Sequence, residues 1–287
     1  MSLARFALTP LACLLLAGPA TAGASYDLQA LMKTKPPVGA VVRVLKEEQE
    51  ANKAPNPSKK HNKVGYVKTI EKVDKEGPSQ FVLNLESFED KISKTKVPVK
   101  GVRVRIVRKR TSPKTVSYSQ KLLAGKPAPL VQAWLNEKYP ATKKDKADED
   151  QGLAAMVPTG KIEVGKGWTR SAAKLAELLF DAKEGVNAKQ SKVSGIIAKE
   201  VKLGGHLYLE IRISLTFVFD TFQGMKCTTP LKMTMEMVAL QSTSGERPTA
   251  KGSHSMNMKG VLSTPNGPVP LEMTSSMTET NALVKKP

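Results

Sequence analysis

An alternation of period two between Leu207 and Asp220 constrains this chain more than any other feature. Leu207, Leu209, Ile211, Ile213, Leu215, Phe217 and Phe219 fall on one face, and Tyr208, Glu210, Arg212, Ser214, Thr216 and Asp220 on the other, with Val218 the one interruption. A helix would scatter these residues around its circumference, whereas a strand sends successive side chains to opposite faces. The segment is therefore a long, half-buried antiparallel strand. Thirteen residues at about 3.3 Å each reach roughly 40 Å, against a usual strand of five or six. A strongly curved sheet or a barrel wall follows.

The alternation recurs at Leu231, Met233, Met235, Met237 and Ala239 opposite Lys232, Thr234 and Glu236, and more weakly at Val269, Leu271 and Met273 opposite Glu272 and Thr274. Ser253 to Leu262 is a polar strand between them, and Thr264-Pro265-Asn266-Gly267-Pro268 is a turn whose Asn and Gly tolerate positive φ. Lys189 to Lys202 reads as the first long strand, turning through Gly204-Gly205 into the next. In the first half, Val38–Lys46, Val64–Val73, Phe81–Phe88, Val99–Val107 and Thr115–Gln120 are strands separated by charged or proline-containing connections.

Helical spacing appears in two places. Pro129 to Tyr139 carries Leu130, Val131, Trp134 and Leu135; Ser171 to Lys183 carries Leu175, Leu178, Leu179 and Phe180, with Ser171 as N-cap. The fold class is mainly β (α+β): two β-rich units of curved antiparallel sheet with two short amphipathic helices. Length suits two domains. A basic β-rich unit spans residues 25–125, a helix and charged linker 126–151, and an antiparallel unit with one helix 152–287. The run from Lys143 to Asp150 lacks the alternating ligands and central glycine of a calcium loop.

Residues 1–22 carry Arg5, an apolar run from Phe6 to Gly18 and the cleavage-type stretch Ala20-Thr21-Ala22, the pattern of a secretory signal. The expected location is secreted or periplasmic. Cys13 sits inside the apolar run, where a lipid-attachment cysteine does not belong, and charged residues interrupt every later apolar stretch that could cross a membrane. Removal of Cys13 leaves Cys227, expected to be a small packed hydrophobe.

The net charge of +19 is unevenly spread, with a balance of +13 between Ser25 and Lys126 and +5 beyond. Such an excess favours polyanions or keeps a chain soluble. Its densest feature is Val102 to Arg110, followed by Lys114. On a strand, Arg103, Arg105 and Lys109 share one face while Val102, Val104 and Ile106 share the other. Arg103, Arg105, Arg108, Lys109, Arg110 and Lys114 are candidate anion contacts, since guanidinium forks suit phosphate and carboxylate. A merely solvated face is the other reading. Aromatic residues make up only 5% of the chain, which leaves no stacking platform for nucleic acid.

Candidate chemistry is thin. His61, in a lysine-rich loop, His206 and His254 have no metal-site spacing, and no nucleophile elbow or phosphate-binding glycine loop occurs. No cofactor, no metal and no catalytic residue is assigned. Met225, Met233, Met235, Met237, Met256, Met258, Met273 and Met277 fall in the last quarter of the chain and suit core filling, an adaptable apolar pocket, or copper ligation. With Leu209, Ile211, Ile213 and Trp168, the trio Met233, Met235 and Met237 are the candidate pocket residues.

Met156-Val157-Pro158 followed by Ile162-Glu163-Val164-Gly165-Lys166-Gly167-Trp168-Thr169 resembles an uncharacterised family of exported bacterial β-rich proteins that open on a V-G-x-x-W motif. The resemblance covers roughly residues 152–283, and implies that glycine turns the chain and Trp168 plugs the end of the curved sheet. By looser analogy the arrangement is similar to periplasmic lipoprotein-carrier half-barrels, which bind acyl chains. The expectation is an exported, non-enzymatic envelope binding protein, with an apolar or lipid-like ligand in the C-terminal sheet and an anionic envelope polymer or lipid against the N-terminal unit. A scaffold without a ligand is the alternative, and a hydrolase with dispersed Ser, His and Asp is a third class.

Overall fold

Backbone pairing carries most of the described residues into one sheet. The computed structural model describes residues 23–32, 36–54, 57–74, 77–112, 115–144, 155–180, 185–244 and 249–285. The expected export segment 1–22, the charged run 145–150 and Lys114 lie outside the described residues. In order, the elements are β1 (Ser25–Asp27), α1 (Leu28–Met32), β2 (Val41–Ala54), β3 (Ser58–Asp74), β4 (Gly77–Asp90), β5 (Thr95–Lys96), β6 (Arg103–Ser112), β7 (Thr115–Ala124), α2 (Pro129–Lys138) and β8 (Lys143–Lys144). Then come β9 (Lys161–Glu163), β10 (Gly167–Ser171), α3 (Ala173–Leu179), β11 (Lys192–Leu203), β12 (His206–Phe222), β13 (Met225–Ser242), β14 (Lys251–Thr264) and β15 (Gly267–Lys285).

Thirteen strands form one curved antiparallel sheet that is not closed into a barrel, in the order β10-β11-β12-β13-β14-β15-β2-β3-β4-β6-β7-β8, with β5 on β4. Each half is a meander of sequential neighbours. The exception is β15, which leaves β14 and pairs with β2 from Ala54 to Val41, so that the end of the chain joins the two halves. The period-two segment is β12, 17 residues long and bounded by the Gly204-Gly205 hairpin.

Several strands extend beyond their hydrophobic alternation. β2 continues through Glu47-Glu48-Gln49-Glu50, and β3 begins in the lysine-rich stretch around His61. His61 therefore lies on a strand rather than in a loop, opposite Gln49, with its Nε2 2.7 Å from Glu47 Oε1. Opposed charges hold this ladder where apolar residues are absent: Glu50 faces Lys60 and Glu47 faces Lys63. The second helix is shorter than its spacing suggests. It starts at Ala173 after Ala172, although the Ser171 hydroxyl does accept a hydrogen bond from the Ala173 N–H at 3.2 Å.

Two cores sit on the same face of the sheet. One lies under α1 and α3 against β11 to β14, built on Leu28, Leu175, Ile197, Leu209, Phe217 and Phe219. The other lies under α2 against β2, β3, β4 and β6, built on Val42, Val44, Leu83, Ile106, Val131 and Trp134. Directly opposite residues in an antiparallel pair share a face. The pairings Ile213–Met237, Met237–His254, His254–Met277 and Met277–Glu48 therefore carry the core side of β12 onto the core side of β2. Residues 25–32, at the start of the chain, belong to the core of the second half, where Asp27 Oδ1 caps α1 by accepting from the Ala30 N–H at 3.0 Å. Conversely, Leu283 packs against the first half's core.

Lys68 is an anomaly beside that second core. Its Nζ lies 4.2 Å from the centroid of the Phe81 ring, and desolvation pushes its pKa down to about 8, against a partial counter-effect from Glu279. The unfolded chain holds this proton more tightly, with a pKa of 10.5. The cost is therefore present below pH 8 and fades as pH rises from 8 towards 10.5. Lys68→Met is expected to stabilise the protein at pH 7 by about 1–2 kcal/mol, less than the full shift because the side chain keeps some contact with water. Denaturant unfolding at pH 7 and pH 10 should show a gain several-fold larger at pH 7 than at pH 10; an equal gain at both would refute the protonation argument.

Candidate functional site

Between the two cores, the shared face is lined by methionines. Across β13, β14 and β15 the register opposes Met233 to Met258 and Met258 to Met273, Met235 to Met256, and Met237 to His254 and then Met277. Met233 and Met258 are buried in the core of the second half. Met235, Met237, Met256 and Met273 are partly exposed and pack against that core's margin, with Met277 partly exposed beyond them. Flexible thioethers at the border of a sealed core form an apolar surface whose shape adapts to what covers it.

The other sequence-selected apolar residues are elsewhere. Leu209, Ile211 and Ile213 are no more than 4% exposed and form the packed core itself rather than the wall of a pocket. Trp168 lies on β10 at one end of the sheet, opposite Gly195, and donates from its Nε1 to Met156 O at 3.1 Å. Its six-membered ring occupies the space over Gly195, where a Cβ would stand 2.2 Å from Cζ2. Cys227 is buried in the same core and free.

Next to the methionine strip, where α2 ends over β2 and β14, a solvent-open cavity of about 180 Å³ is lined by Lys46, Glu48, Lys60, Glu137, Lys138 and His254. Glu48 is its centre. Lys46 and Lys138 both approach its Oε1, at 3.0 and 2.6 Å, while its Oε2 is buried with no hydrogen-bond partner. Burial raises the Glu48 pKa, but the hydrogen bond from Lys138 and the charge and hydrogen bond of Lys46 outweigh it and leave the carboxyl below its usual value. Lys60 pairs with Glu137 at the rim. His254 is held below the ordinary histidine pKa by desolvation first and by Lys46 and Lys138, with Glu48 opposing, so its ring is neutral near pH 7. Asn52, further along the same face of β2, has a second buried, unpartnered acceptor, Oδ1.

The opposite face carries a wider depression of about 340 Å³ among Thr234, Glu236, Ser255, Asn257, Thr274 and Ser276. His206, at the start of β12, lies far along that strand from Ile213, the residue level with His254. Among the described residues, no group of three or more His, Cys, Asp or Glu could hold a metal ion.

The basic segment forms β6, and internal carboxylates engage part of it. Arg105 makes a two-point contact with Glu71, at 2.9 and 3.0 Å, and Arg108 donates to Asp74 at 2.6 Å and to Gly77 O at 3.4 Å. Arg108 shares the face of Val104 and Ile106, and so does not extend the comb of Arg103 and Arg105. Arg103 and Lys109 remain exposed, and Arg110 is partly buried. Glu71 and Asp74 lie 34 residues before the arginines they meet, on β3, which β4 separates from β6, so no local spacing in the sequence marks them as partners. The Glu48 cavity was equally hidden, its lining residues coming from β2, β3, β14 and α2.

No protein-family model matches the chain, and no curated protein matches it. Among solved structures the chain is similar to lipovitellin, in a structure of its lipid–protein interactions, at 9% identity and a TM-score of 0.35, over 88% of this chain and 26% of that one. The chain thus spans about a quarter of lipovitellin's length. It is also similar to a LolA superfamily protein from Nitrosomonas europaea, at 8% identity and a TM-score of 0.20, over 91% of this chain and 96% of that one. An outer membrane channel from Pseudomonas putida F1 follows at 8% identity and a TM-score of 0.18, over 86% and 96% of the two chains.

Proposed function

We propose that this is an exported, non-enzymatic binding protein of the cell envelope that holds a lipid-like ligand on the core-side face of its sheet. The observation that carries the reading is the strip of partly exposed methionines, Met235, Met237, Met256, Met273 and Met277, placed between two sealed cores on one continuous face. Adaptable apolar side chains beside a solvent-open cavity lined by charged residues suit a molecule with a hydrocarbon tail and a polar head. Contact with anionic envelope material falls to the first half, through exposed Arg103 and Lys109 and the local charge balance of +13.

Protein released from its own cell envelope without detergent is expected to carry a lipid-sized mass in native mass spectrometry. The Met235→Glu/Met256→Glu double variant, altered at a partly exposed cross-strand pair, should retain at least tenfold less of it while keeping its strand-rich circular dichroism. Ligand-free wild-type protein, or equal loading of the variant, would reject the reading in favour of a scaffold.

A further inference from the structure

We infer that Met237, His254 and Met277 form a site for one soft monovalent metal ion, Cu(I), at the open end of the methionine strip; the inference goes beyond the lipid reading and does not rest on it. On β13, β14 and β15 the register arranges the core-side residues in three rows: Met233, Met258 and Met273, then Met235, Met256 and Ser275, then Met237, His254 and Met277. Seven thioethers and one imidazole thus occupy eight of these nine positions. The neighbouring strand β12 meets the rows with Phe217, Leu215 and Ile213, so the soft donors begin only at β13. A purely apolar strip has no use for the imidazole.

The third row is the accessible one. His254 and Met277 both line the solvent-open cavity beside α2, and Met237 is partly exposed on the other side of His254. Met233 and Met258 of the first row are sealed in the core. Residues directly opposite on adjacent strands have Cβ atoms about 4.5–5.5 Å apart, so a sulfur from either flank can swing on a flexible side chain towards an ion held by the central ring. Among the described residues, no hydrogen bond occupies a ring nitrogen of His254.

Softness and charge select the ion. Thioether and imidazole are neutral donors, and thioethers favour Cu(I) over harder divalent ions. The carboxylates that a divalent ion would recruit are already engaged, Glu48 by Lys46 and Lys138 and Glu137 by Lys60. Around the cavity Lys46, Lys60 and Lys138 are balanced by Glu48, Glu50 and Glu137, and a single added charge disturbs that balance least.

The test uses the full exported chain, stripped of metal, held under anaerobic reductant and titrated with Cu(I) against a chromophoric Cu(I) chelator. Wild-type protein should hold one equivalent, and X-ray absorption at the copper edge should show two sulfurs and one nitrogen. The Met237→Leu/Met277→Leu variant conserves side-chain volume. It should bind at least about a hundredfold more weakly, at or beyond the upper limit for residues that only support a ligand, and so should His254→Gln. Cys227→Ala should bind as wild type does, since the buried thiol lies outside the row. Failure of wild-type protein to retain Cu(I) overturns the inference, as does sulfur-only coordination. Undiminished binding in the two ligand variants, loss of binding in Cys227→Ala, or Zn(II) held as tightly as Cu(I) would each overturn it too. Because the absorption measurement is made on wild-type protein, misfolding of a variant cannot hide the outcome.

Discussion

Replacing Phe217 by alanine should lower stability by about 3–5 kcal/mol, the cost of a large side chain lost from a core that cannot collapse. Phe217 is fully buried. It meets the ring of Phe180, just beyond α3, edge-on with centroids 5.0 Å apart, and Phe180 meets Phe219 in the same way at 5.0 Å. One aromatic ring thus pins the end of a seven-residue helix to two positions of β12. A helix that short has little stability of its own and depends on this contact. Removing Phe217 should therefore free α3 as well as open a cavity. In thermal unfolding the expected fall in Tm is roughly 10 °C. Met235→Ala, at the partly exposed border of the same core, should cost about 1 kcal/mol or less. Similar costs for the two variants would mean that the boundary between sealed core and methionine strip has been misdrawn.

The second large effect is expected at Gly195. A methyl group there would stand 2.2 Å from Cζ2, 2.6 Å from Cε2 and 2.8 Å from Cη2 of Trp168, so Gly195→Ala must expel the indole. With it goes the hydrogen bond from Nε1 to Met156 O and the apolar cover of the β10–β11 pair. A loss of about 2–3 kcal/mol is expected, in the range of overpacked sites. The chain has two tryptophans, and Trp134→Phe gives a background in which Trp168 reports alone; the Trp134 Nε1 has no hydrogen-bond partner to lose. In that background Gly195→Ala should shift the emission to longer wavelength as the indole enters water. An unchanged spectrum would show that the ring accommodates the methyl group in place.

The strands were legible wherever a sheet face is apolar. β12, β13 and the Gly204-Gly205 hairpin could be read because Leu, Ile, Phe and Met recur every second residue. The polar parts of β2 and β3 could not, since Glu48 and Lys60 face a cavity rather than a core and carry no hydrophobic signal. Their complementary charges, acidic on one strand and basic on the next, were the available clue. α1 was missed for a different reason: five residues are too few to show a helical period, and Leu28 is buried by contacts with the far end of the chain. The methionines were recognised as one face, but only the register separates buried Met233 and Met258 from the partly exposed remainder. Of the basic segment, only the register shows that carboxylates on β3, Glu71 and Asp74, engage Arg105 and Arg108.

The pairing of β15 with β2 ties the order of synthesis to the order of assembly. The chain emerges amino end first, so β2 appears more than two hundred residues before its partner β15, and until then one long margin of the meander has no mate. Such a margin is a template for other chains. The acidic stretch Glu47-Glu48-Gln49-Glu50 on that margin puts like charges between two waiting copies, a safeguard that lasts until the final nineteen-residue strand arrives and closes the gap.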